Sequence, residues 1–196
     1  QLYIFEQRSP LKISSELNCS TGKVQGDKFK QGDLRTPEGI YFIEHKRTNA
    51  LNFNLYGNMA FPLNYPNPVD RIRGKTGDGI WIHGRGTPLT PRETKGCIAL
   101  NNADINYLDS GLALVKTPVI IGSNVQWTED DIYQAEVSLN LKNQVKAWSK
   151  AWQNRSDKFF SFYYPDKFTL SEGKQFSDFR QHKQDVFQPY PWIPIY

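Results

Sequence analysis

Short apolar runs separated by turn residues dominate the first 125 residues of the chain. Several runs have the length and β-branched content of strands, and Gly, Asn and Pro divide them. The strand candidates are Leu2–Phe5, Leu11–Ser15, Gly39–Ile43, Leu51–Leu55, Ile80–Ile82 and Pro118–Ile121. Turns are expected at 20–22, 32–33, 64–68 and 76–79. This spacing predicts a mainly-β domain of the sandwich or barrel type over residues 1–125.

One helix is expected inside this β-rich region. The segment Asn102–Leu108 begins with an Asn of the helix-capping type and ends before Gly111, which favours helix termination.

The pattern becomes helical from about Glu129. Apolar residues at intervals of three and four predict one stripe along a helix; they are Val137, Leu141, Val145, Trp148 and Trp152. A second helical piece carries Phe159, Phe160, Phe162 and Tyr163, and it stops at Pro165. A third runs from about Ser171 to Phe187, with Phe176, Phe179 and Val186 on one side. We expect these aromatic stripes to form the core of a smaller helical region over 126–196, so the whole chain is predicted to be α+β. The end, Pro189–Tyr196, is expected to be extended, since Pro prevents a helix there.

Composition excludes several classes of protein. A chain of 196 residues that is 38% hydrophobic and 14% aromatic is expected to fold. No run of about 18 apolar residues occurs, so no membrane span is expected. The net charge of +4 would suit a polyanion, but the basic residues are scattered and no recognition motif appears, so nucleic acid is not expected as a partner. The chain opens with Gln1 rather than Met, so we expect a processed or shortened form from which any signal peptide is missing.

The few cysteines and histidines limit the kinds of site. The two cysteines, Cys19 and Cys97, are too few for a disulfide framework or a zinc site. The histidines lack metal-ligand spacing, so we expect neither a metal nor another cofactor. His45 and His182 lie in charged segments and are expected to be solvated, and Cys19 is interpreted as a hairpin residue.

His83 and Cys97 are the strongest candidates for chemistry. His83 ends an apolar run, and Cys97 follows fourteen residues later. Either residue alone would be interpreted as structural. A nucleophilic Cys, however, needs a base or a positive charge beside it, and His83 can supply the base while Lys95 adds positive potential. The pair therefore predicts a cysteine-dependent acyl-transfer enzyme.

The segments around this pair suit acyl transfer. Gly96 permits a tight turn, and backbone N–H groups near it could stabilise an oxyanion. The helix predicted from Asn102 could direct its positive end toward the same place. The intervening loop, Arg85–Glu93, contains two prolines and two arginines. It could line a substrate groove, in which an arginine would bind a carboxylate.

The arrangement of His-Gly, a loop and Thr-x-Gly-Cys resembles the catalytic motif of the L,D-transpeptidase (YkuD-type) family. Gly32–Tyr41 resembles that family's GD-x-RTPEG-x-Y hairpin, and Leu63–Asn67 resembles its YPN loop. The resemblance covers about residues 1–123.

The resemblance implies a role for each residue of the motif. Cys97 is the implied nucleophile and His83 the implied base. Gly84 would orient His83 through its carbonyl group, and Thr94 occupies the Ser/Thr position. Gly96 and Lys95 complete the predicted support of the nucleophile.

Two positions depart from the family pattern. Lys95 stands where most relatives have His, and Ala99 stands where many have Arg. The subgroup with this pattern resembles enzymes that trim peptidoglycan stem peptides and influence cell shape. The pattern from Val145 to Phe168 resembles the opening helices of a nuclear-transport-factor-like domain, which normally continues into a curved sheet. We therefore expect either a shortened chain or only part of that domain.

The implied substrate is a peptidoglycan stem peptide, and the implied location is the periplasm or cell envelope. Cys97 would attack the L-centre carbonyl of the diamino acid and release D-alanine. Water as the acceptor gives an L,D-carboxypeptidase that converts tetrapeptide to tripeptide, and the two departures favour it. An amine gives an L,D-transpeptidase that forms 3–3 cross-links. A non-catalytic cell-wall binding protein is the alternative from another class. The candidate groove residues are Tyr65, Asn67, Arg73 and Arg85. The oligomeric state is not predicted.

Overall fold

A computed structural model describes residues 1–8, 11–124, 131–168 and 174–188. The chain divides into two compact units, Gln1–Gln126 and Trp127–Tyr196. The elements of the first unit are β1 (Leu2–Phe5), β2 (Ile13–Leu17), β3 (Gly39–Phe42), α1 (Phe53–Tyr56), β4 (Ala60–Pro62), α2 (Pro68–Ile72), β5 (Trp81–His83), β6 (Ile98–Ala99), α3 (Asn102–Gly111) and β7 (Pro118–Ile121). Those of the second are α4 (Asp131–Gln153), 3₁₀ helices at Asp157–Phe162 and Pro165–Lys167, and α5 (Phe176–Phe187). The predicted α+β class is confirmed.

The described strands of the first unit form three small sheets. β1 pairs antiparallel with β2, and β3 pairs antiparallel with β7. The third sheet has the order β4-β5-β6, in which β4 and β5 are antiparallel and β5 and β6 are parallel. A parallel pair needs a crossover connection, and residues 84–97 supply it.

An apolar core joins these elements. Its fully buried side chains come from strands, from the residues beside them and from α3; the largest are Tyr41, Ile43, Phe61, Ile82, Leu100 and Ile105. Because Ile82 and Ile98 are paired neighbours in β5 and β6 and both lie in this core, one face of the parallel pair is anchored. The residues that alternate with them face the other way.

A buried ion cluster lies beside this core. Nζ of Lys75, whose side chain is 1% exposed, lies 2.7 Å from Asp27 and 3.1 Å from Asp70. The hydroxyl of Tyr41 donates to Asp70 at 3.3 Å. Burial lowers the pKa of Lys75, but its bonds to Asp27 and Asp70 outweigh that effect and raise the pKa overall. Lys75 therefore stays charged at neutral pH, and its bonds, with that of Tyr41, tie residue 27, α2 and β3 together.

The second unit has its own aromatic core. Phe159 and Phe160 are buried, and Phe187 of α5 packs against both at ring-centroid distances of 5.8 and 6.2 Å. Trp152 lies 4.8 Å from Phe159, and the indole N–H of Trp148 donates to the hydroxyl of Tyr163 at 3.0 Å. The helical pieces predicted from the aromatic residues thus meet in one cluster.

Two predictions about elements are wrong. The predicted strand Leu51–Leu55 is a helical turn, α1, because the side chain of Asn52 accepts from the backbone N–H of Leu55 and caps it. The predicted core stripe on α4 is buried only in part: Val137, Leu141 and Val145 are 48–64% exposed. The stripe meets the core only at its end, through Trp148 and Trp152.

Other boundaries shift by a few residues. β2 ends at Leu17 because Leu17 pairs with Leu2, and α3 is capped by Asn101, whose side chain accepts from Asp104, rather than by Asn102. The sequence patterns missed β4, β6 and α2. The helix predicted from Ser171 is described from Phe176; its predicted start and the segment Pro189–Tyr196 lie outside the described residues.

Candidate active site

The parallel pairing of β5 and β6 places His83 and Cys97 on the same side of the sheet. His83 is paired with Ala99, and Ile82 with Ile98. Counting back one residue, Cys97 lies opposite Trp81. Since side chains alternate between faces, His83, Cys97 and Ala99 share the face opposite to the anchored one. The crossover of residues 84–97 thus brings together two side chains that lie fourteen positions apart in the sequence.

His83 is buried and held in one tautomer. It is 3% exposed, and its Nδ1 lies 2.6 Å from the carbonyl oxygen of Gly84. Because a carbonyl oxygen can only accept, Nδ1 must carry the proton, and Nε2 is left as the basic nitrogen. The ring of Tyr56 packs edge-on against the imidazole at 5.1 Å. Burial is the main reason that the pKa of His83 is lowered, so the imidazole is neutral at pH 7.

Cys97 is held as a thiol. Its Sγ lies 3.4 Å from the carbonyl oxygen of Gly79, to which the S–H donates. Burial raises the pKa of Cys97, and a backbone hydrogen bond from Trp81 and the charge of Lys28 only partly oppose this. A neutral thiol and a neutral imidazole therefore form the resting pair. We therefore predict that the pair would react by general-base catalysis, with His83 removing the proton as sulfur attacks.

This protonation state predicts how Cys97 reacts at different pH values. In a Cys19→Ala background, the rate of alkylation by iodoacetamide is expected to keep rising as pH increases beyond about 8.5, the ordinary pKa of a thiol. A pre-formed thiolate–imidazolium pair would instead give a rate plateau between about pH 4 and 8. The measurement is the pH profile of the labelling rate in the absence of substrate. A plateau on the acid side would contradict the neutral pair.

A tight turn presents Cys97. The hydroxyl of Thr94 donates to the carbonyl oxygen of Cys97 at 2.7 Å and accepts from the backbone N–H of Gly96 at 3.1 Å. Gly96 has φ +133°, and a Cβ there would lie 2.7 Å from the carbonyl oxygen of Arg35. The position therefore requires glycine, and Thr94 closes the turn.

The hairpin segment that carries Arg35 packs against the turn at Gly96 and is itself held by hydrogen bonds. The carboxylate of Asp33 accepts from Nζ of Lys28 at 2.7 Å and from the backbone N–H groups of Phe29, Lys30 and Arg35. Burial would raise the pKa of Asp33, but these hydrogen bonds hold it far below its usual range. The rigid loop around Asp33 thus fixes the backbone against which Gly96 packs.

A groove of about 260 Å³ opens beside the thiol. Its lining residues come from the segment before β3, from α1 and from the segments before β5 and β6: Lys28, Gln31, Gly32, Leu34, Tyr56, Gly77, Asp78, Gly79, Ile80, Lys95 and Cys97. The volume lies just below the usual range of about 300–1,000 Å³ for ligand sites. A buried neutral base, a thiol and an adjoining groove are the parts that covalent acyl transfer requires.

Comparison with known proteins identifies the family. Residues 1–121 match the L,D-transpeptidase (YkuD) catalytic domain. The chain belongs to that family. The resemblance predicted from the His-Gly and Thr-x-Gly-Cys motifs is thereby confirmed, and family membership supports an enzyme. Residues 140–196 match the Cds6 C-terminal NTF2-like domain, which agrees with the predicted nuclear-transport-factor-like region.

Two solved structures and a curated relative are similar to this chain. Bd1075 of Bdellovibrio bacteriovorus is 30% identical, with a TM-score of 0.77 over 97% of this chain and 67% of that protein. Pgp2 of Campylobacter jejuni, a helical cell shape determining protein, is 30% identical, with a TM-score of 0.69 over 90% of this chain and 61% of Pgp2. YafK, an L,D-transpeptidase-family protein of Escherichia coli (strain K12), is 32% identical over 90 residues, which are 46% of this chain and 33% of YafK. The chain thus matches about a third of its curated relative.

The structure places the predicted groove residues of this family member away from the lining of the Cys97 groove. Tyr65 is buried, and its hydroxyl donates to the carbonyl oxygen of Thr76 at 3.1 Å. Asn67 caps α2 through a reciprocal pair of hydrogen bonds with Asp70. Arg73 is exposed at the end of α2. Their binding of substrate stays a prediction.

Arg85 is already paired within its own loop. Its guanidinium lies 2.9 Å from Glu93, and its Nε donates to the hydroxyl of Thr87 at 2.9 Å. The side chain of Asn102, at the start of α3, donates to the carbonyl oxygen of Arg85 at 3.0 Å. These contacts brace the crossover loop. The idea that α3 directs its positive end at the thiol also stays a prediction.

Several residues that line the groove escaped the sequence patterns, among them Lys28, Tyr56, Asp78 and Gly79. Tyr56 directly follows the segment Leu51–Leu55, which was predicted to be a strand and instead forms most of α1. Asp78 and Gly79 were assigned only to a turn. Nothing in their spacing indicates that three separate segments converge on Cys97.

The described ranges contain neither a candidate metal site nor a candidate membrane span. Within them, no group of three or more His, Cys, Asp or Glu side chains is placed to hold a metal ion. Likewise, none of the described helices is long and apolar enough to cross a bilayer.

Proposed function

We propose that this protein is a cysteine-dependent L,D-carboxypeptidase that removes the terminal D-alanine from the tetrapeptide stem of peptidoglycan and leaves a tripeptide. The observation that carries the proposal is the pair formed by His83, fixed with a free Nε2, and the Cys97 thiol on the same face of the β5–β6 pair. Membership of the L,D-transpeptidase family supplies the substrate class.

The proposed reaction proceeds in two halves. Nε2 of His83 takes the thiol proton while Sγ of Cys97 forms a bond to the L-centre carbonyl carbon of the diamino acid. The tetrahedral intermediate collapses, the C–N bond breaks, and the imidazolium returns its proton to the amine of D-alanine. A thioester then links the tripeptide to Cys97. His83 next deprotonates a water molecule that attacks the thioester, the C–S bond breaks, and the released Cys97 thiolate takes the proton from the His83 imidazolium.

Ala99 and Lys95, the two positions that depart from the family pattern, support water as the acyl acceptor. Ala99 is completely buried and lies on the same face as His83, so this position presents no cation to a second peptide strand. Lys95 is exposed at the groove, where the more usual residue is a His. The small volume of the groove also suits the end of one peptide better than two strands. An amine acceptor, which would form 3–3 cross-links, is the alternative reaction of the same thioester.

The proposed location is the periplasm or cell envelope, where peptidoglycan lies. Pgp2 is described as a helical cell shape determining protein, and we extend that to a role in cell shape for this chain. Neither the location nor the role alters the chemistry at Cys97.

Product analysis tests the proposed activity. Purified tetrapeptide muropeptide is incubated with the enzyme, and the products are identified by mass spectrometry. We expect tripeptide and free D-alanine in equal amounts, and the matched Cys19→Ala enzyme should give the same products. Dimers joined by a 3–3 linkage would overturn hydrolysis as the sole activity. A chain that binds muropeptide without releasing D-alanine would be a cell-wall binding protein instead.

A further inference from the structure

The groove beside Cys97 carries charged side chains of both signs. Lys28, Lys95 and Asp78 line it together with the thiol. They come from three separate segments, and the catalytic steps proposed above use none of them.

Lys28 is occupied by its own contacts. Its side chain is 4% exposed, and its Nζ donates to Asp33 at 2.7 Å and to the carbonyl oxygen of Lys30 at 3.1 Å. The charge of Lys28 also acts on Cys97, where it partly opposes the rise in pKa caused by burial. Because its bonds to Asp33 and Lys30 hold Nζ in place, Lys28 is not available to bind a ligand directly.

Lys95 and Asp78 are in a different situation. Both are exposed, and within the described residues neither has a hydrogen bond or an ion pair. Lys95 lies two residues before Cys97, and Asp78 directly precedes Gly79, whose carbonyl oxygen contacts the thiol. One free cation and one free anion thus flank the reacting sulfur from two different segments.

The segment that carries Asp78 is fixed in place. Gly77 and Gly79 on either side of it have φ angles of +96° and +69°, a region that glycine adopts without strain. A Cβ at Gly77 would lie 3.1 Å from Cα of Gln31, so the backbone before Asp78 packs closely on the opposite segment. This turn holds Asp78 at the groove before any ligand arrives, which reduces the entropy cost of binding.

We propose that Lys95 and Asp78 form a subsite of opposite charges that binds the two charged groups on either side of the scissile bond. Lys95 binds the carboxylate of the leaving terminal amino acid, and Asp78 binds the side-chain ammonium of the diamino acid. The identity of these groups rests on the proposed function, whereas the pair of charges around Cys97 does not. The subsite selects donor peptides that carry both a free C-terminal carboxylate and a free side-chain amine.

Charged thiol reagents test the pair of charges without any peptide turnover. In a Cys19→Ala background, Cys97 is modified by an anionic reagent, sulfonatoethyl methanethiosulfonate, and by a cationic reagent, trimethylammonioethyl methanethiosulfonate. At low ionic strength, Lys95→Gln is expected to lower the anionic-to-cationic rate ratio about threefold, and Asp78→Asn to raise it by a similar factor. The matched controls are Lys116→Gln and Glu16→Gln, which change exposed residues outside the groove lining and should leave the ratio unchanged. Equal ratios in all the variants would overturn the proposal.

Modified substrates test which group each side chain binds. The wild-type enzyme is expected to turn over tetrapeptide at least about tenfold faster, in kcat/KM, than tetrapeptide with an acetylated side-chain amine or a C-terminal amide. Asp78→Asn should lose the discrimination against the acetylated peptide only, and Lys95→Gln the discrimination against the amide only. Turnover without discrimination in the wild-type enzyme would overturn the assignment. Shifted reagent ratios with no turnover of any peptide would support the charge pair and overturn the proposed function.

Discussion

Replacing Cys97 by alanine is expected to reduce the release of D-alanine from tetrapeptide to the uncatalysed rate, because the other thiol of the chain, Cys19, does not line the groove. Replacing His83 by glutamine is expected to lower kcat/KM about a thousandfold. The loss should be severe because burial raises the pKa of Cys97, so little thiolate exists at pH 7 without a base. The assay follows D-alanine by mass spectrometry at a fixed enzyme concentration.

Two matched variants separate this effect from a general loss of structure. Cys19→Ala removes the other thiol, and His45→Gln removes an imidazole that is exposed. Both should retain activity within about twofold of the wild type, since neither residue lines the groove. If His83→Gln kept more than a tenth of the wild-type activity, His83 would not be the base. The wild-type enzyme should also stay active below pH 6.5, the ordinary pKa of histidine, because burial lowers the pKa of His83.

Replacing Lys75 by methionine is expected to lower the free energy of unfolding by about 3–5 kcal/mol. The side chain of Lys75 is 1% exposed and lies between Asp27 and Asp70, and that of Asp70 is 4% exposed. Methionine fills similar space but leaves the carboxylate of Asp70 buried without its countercharge. Urea denaturation of the whole chain, followed by circular dichroism, measures the change.

Lys46→Met is the matched control for Lys75→Met. Lys46 lies 2.6 Å from Asp109, but the two side chains are 37% and 30% exposed. A solvated pair of this kind contributes about 1 kcal/mol or less, so the two Lys→Met changes should differ several-fold. Adding Asp70→Asn to Lys75→Met should recover part of the lost stability, since it removes the uncompensated charge. Equal effects of Lys75→Met and Lys46→Met would show that the buried cluster gives no special stability.

Sequence patterns predicted an element correctly where residues close together in the chain determine its secondary structure. β1 and β7 lie at their predicted positions because their apolar runs are short and flanked by turns, and α3 follows its Asn-rich start. These patterns failed where a capping side chain or a strand distant in the sequence determines the secondary structure. Asn52 turns an apolar run into α1 through one side-chain hydrogen bond. The two-residue strand β6 depends on distant partners, since it pairs with β5 and Ala99 also exchanges backbone hydrogen bonds with Ser20.

The C-terminal stripe shows the same limit. The spacing of Val137, Leu141, Val145, Trp148 and Trp152 predicts a helix, and a helix is present. Periodicity reports a shared face but not what packs against it. Only the last turns of that helix reach the aromatic core of the second unit.

The sequence by itself determined the family and the candidate residues of the centre: a Cys after Thr-x-Gly, a His before Gly, and the motifs that indicate the L,D-transpeptidase family. These features are local, since each depends on residues a few positions apart. Only the tertiary structure decided the protonation state of the pair and the residues around it. Burial sets the pKa values of His83 and Cys97, and burial depends on contacts between distant segments. The convergence of Asp78 and Lys95 on the thiol has the same origin, because the crossover between β5 and β6 brings their segments together.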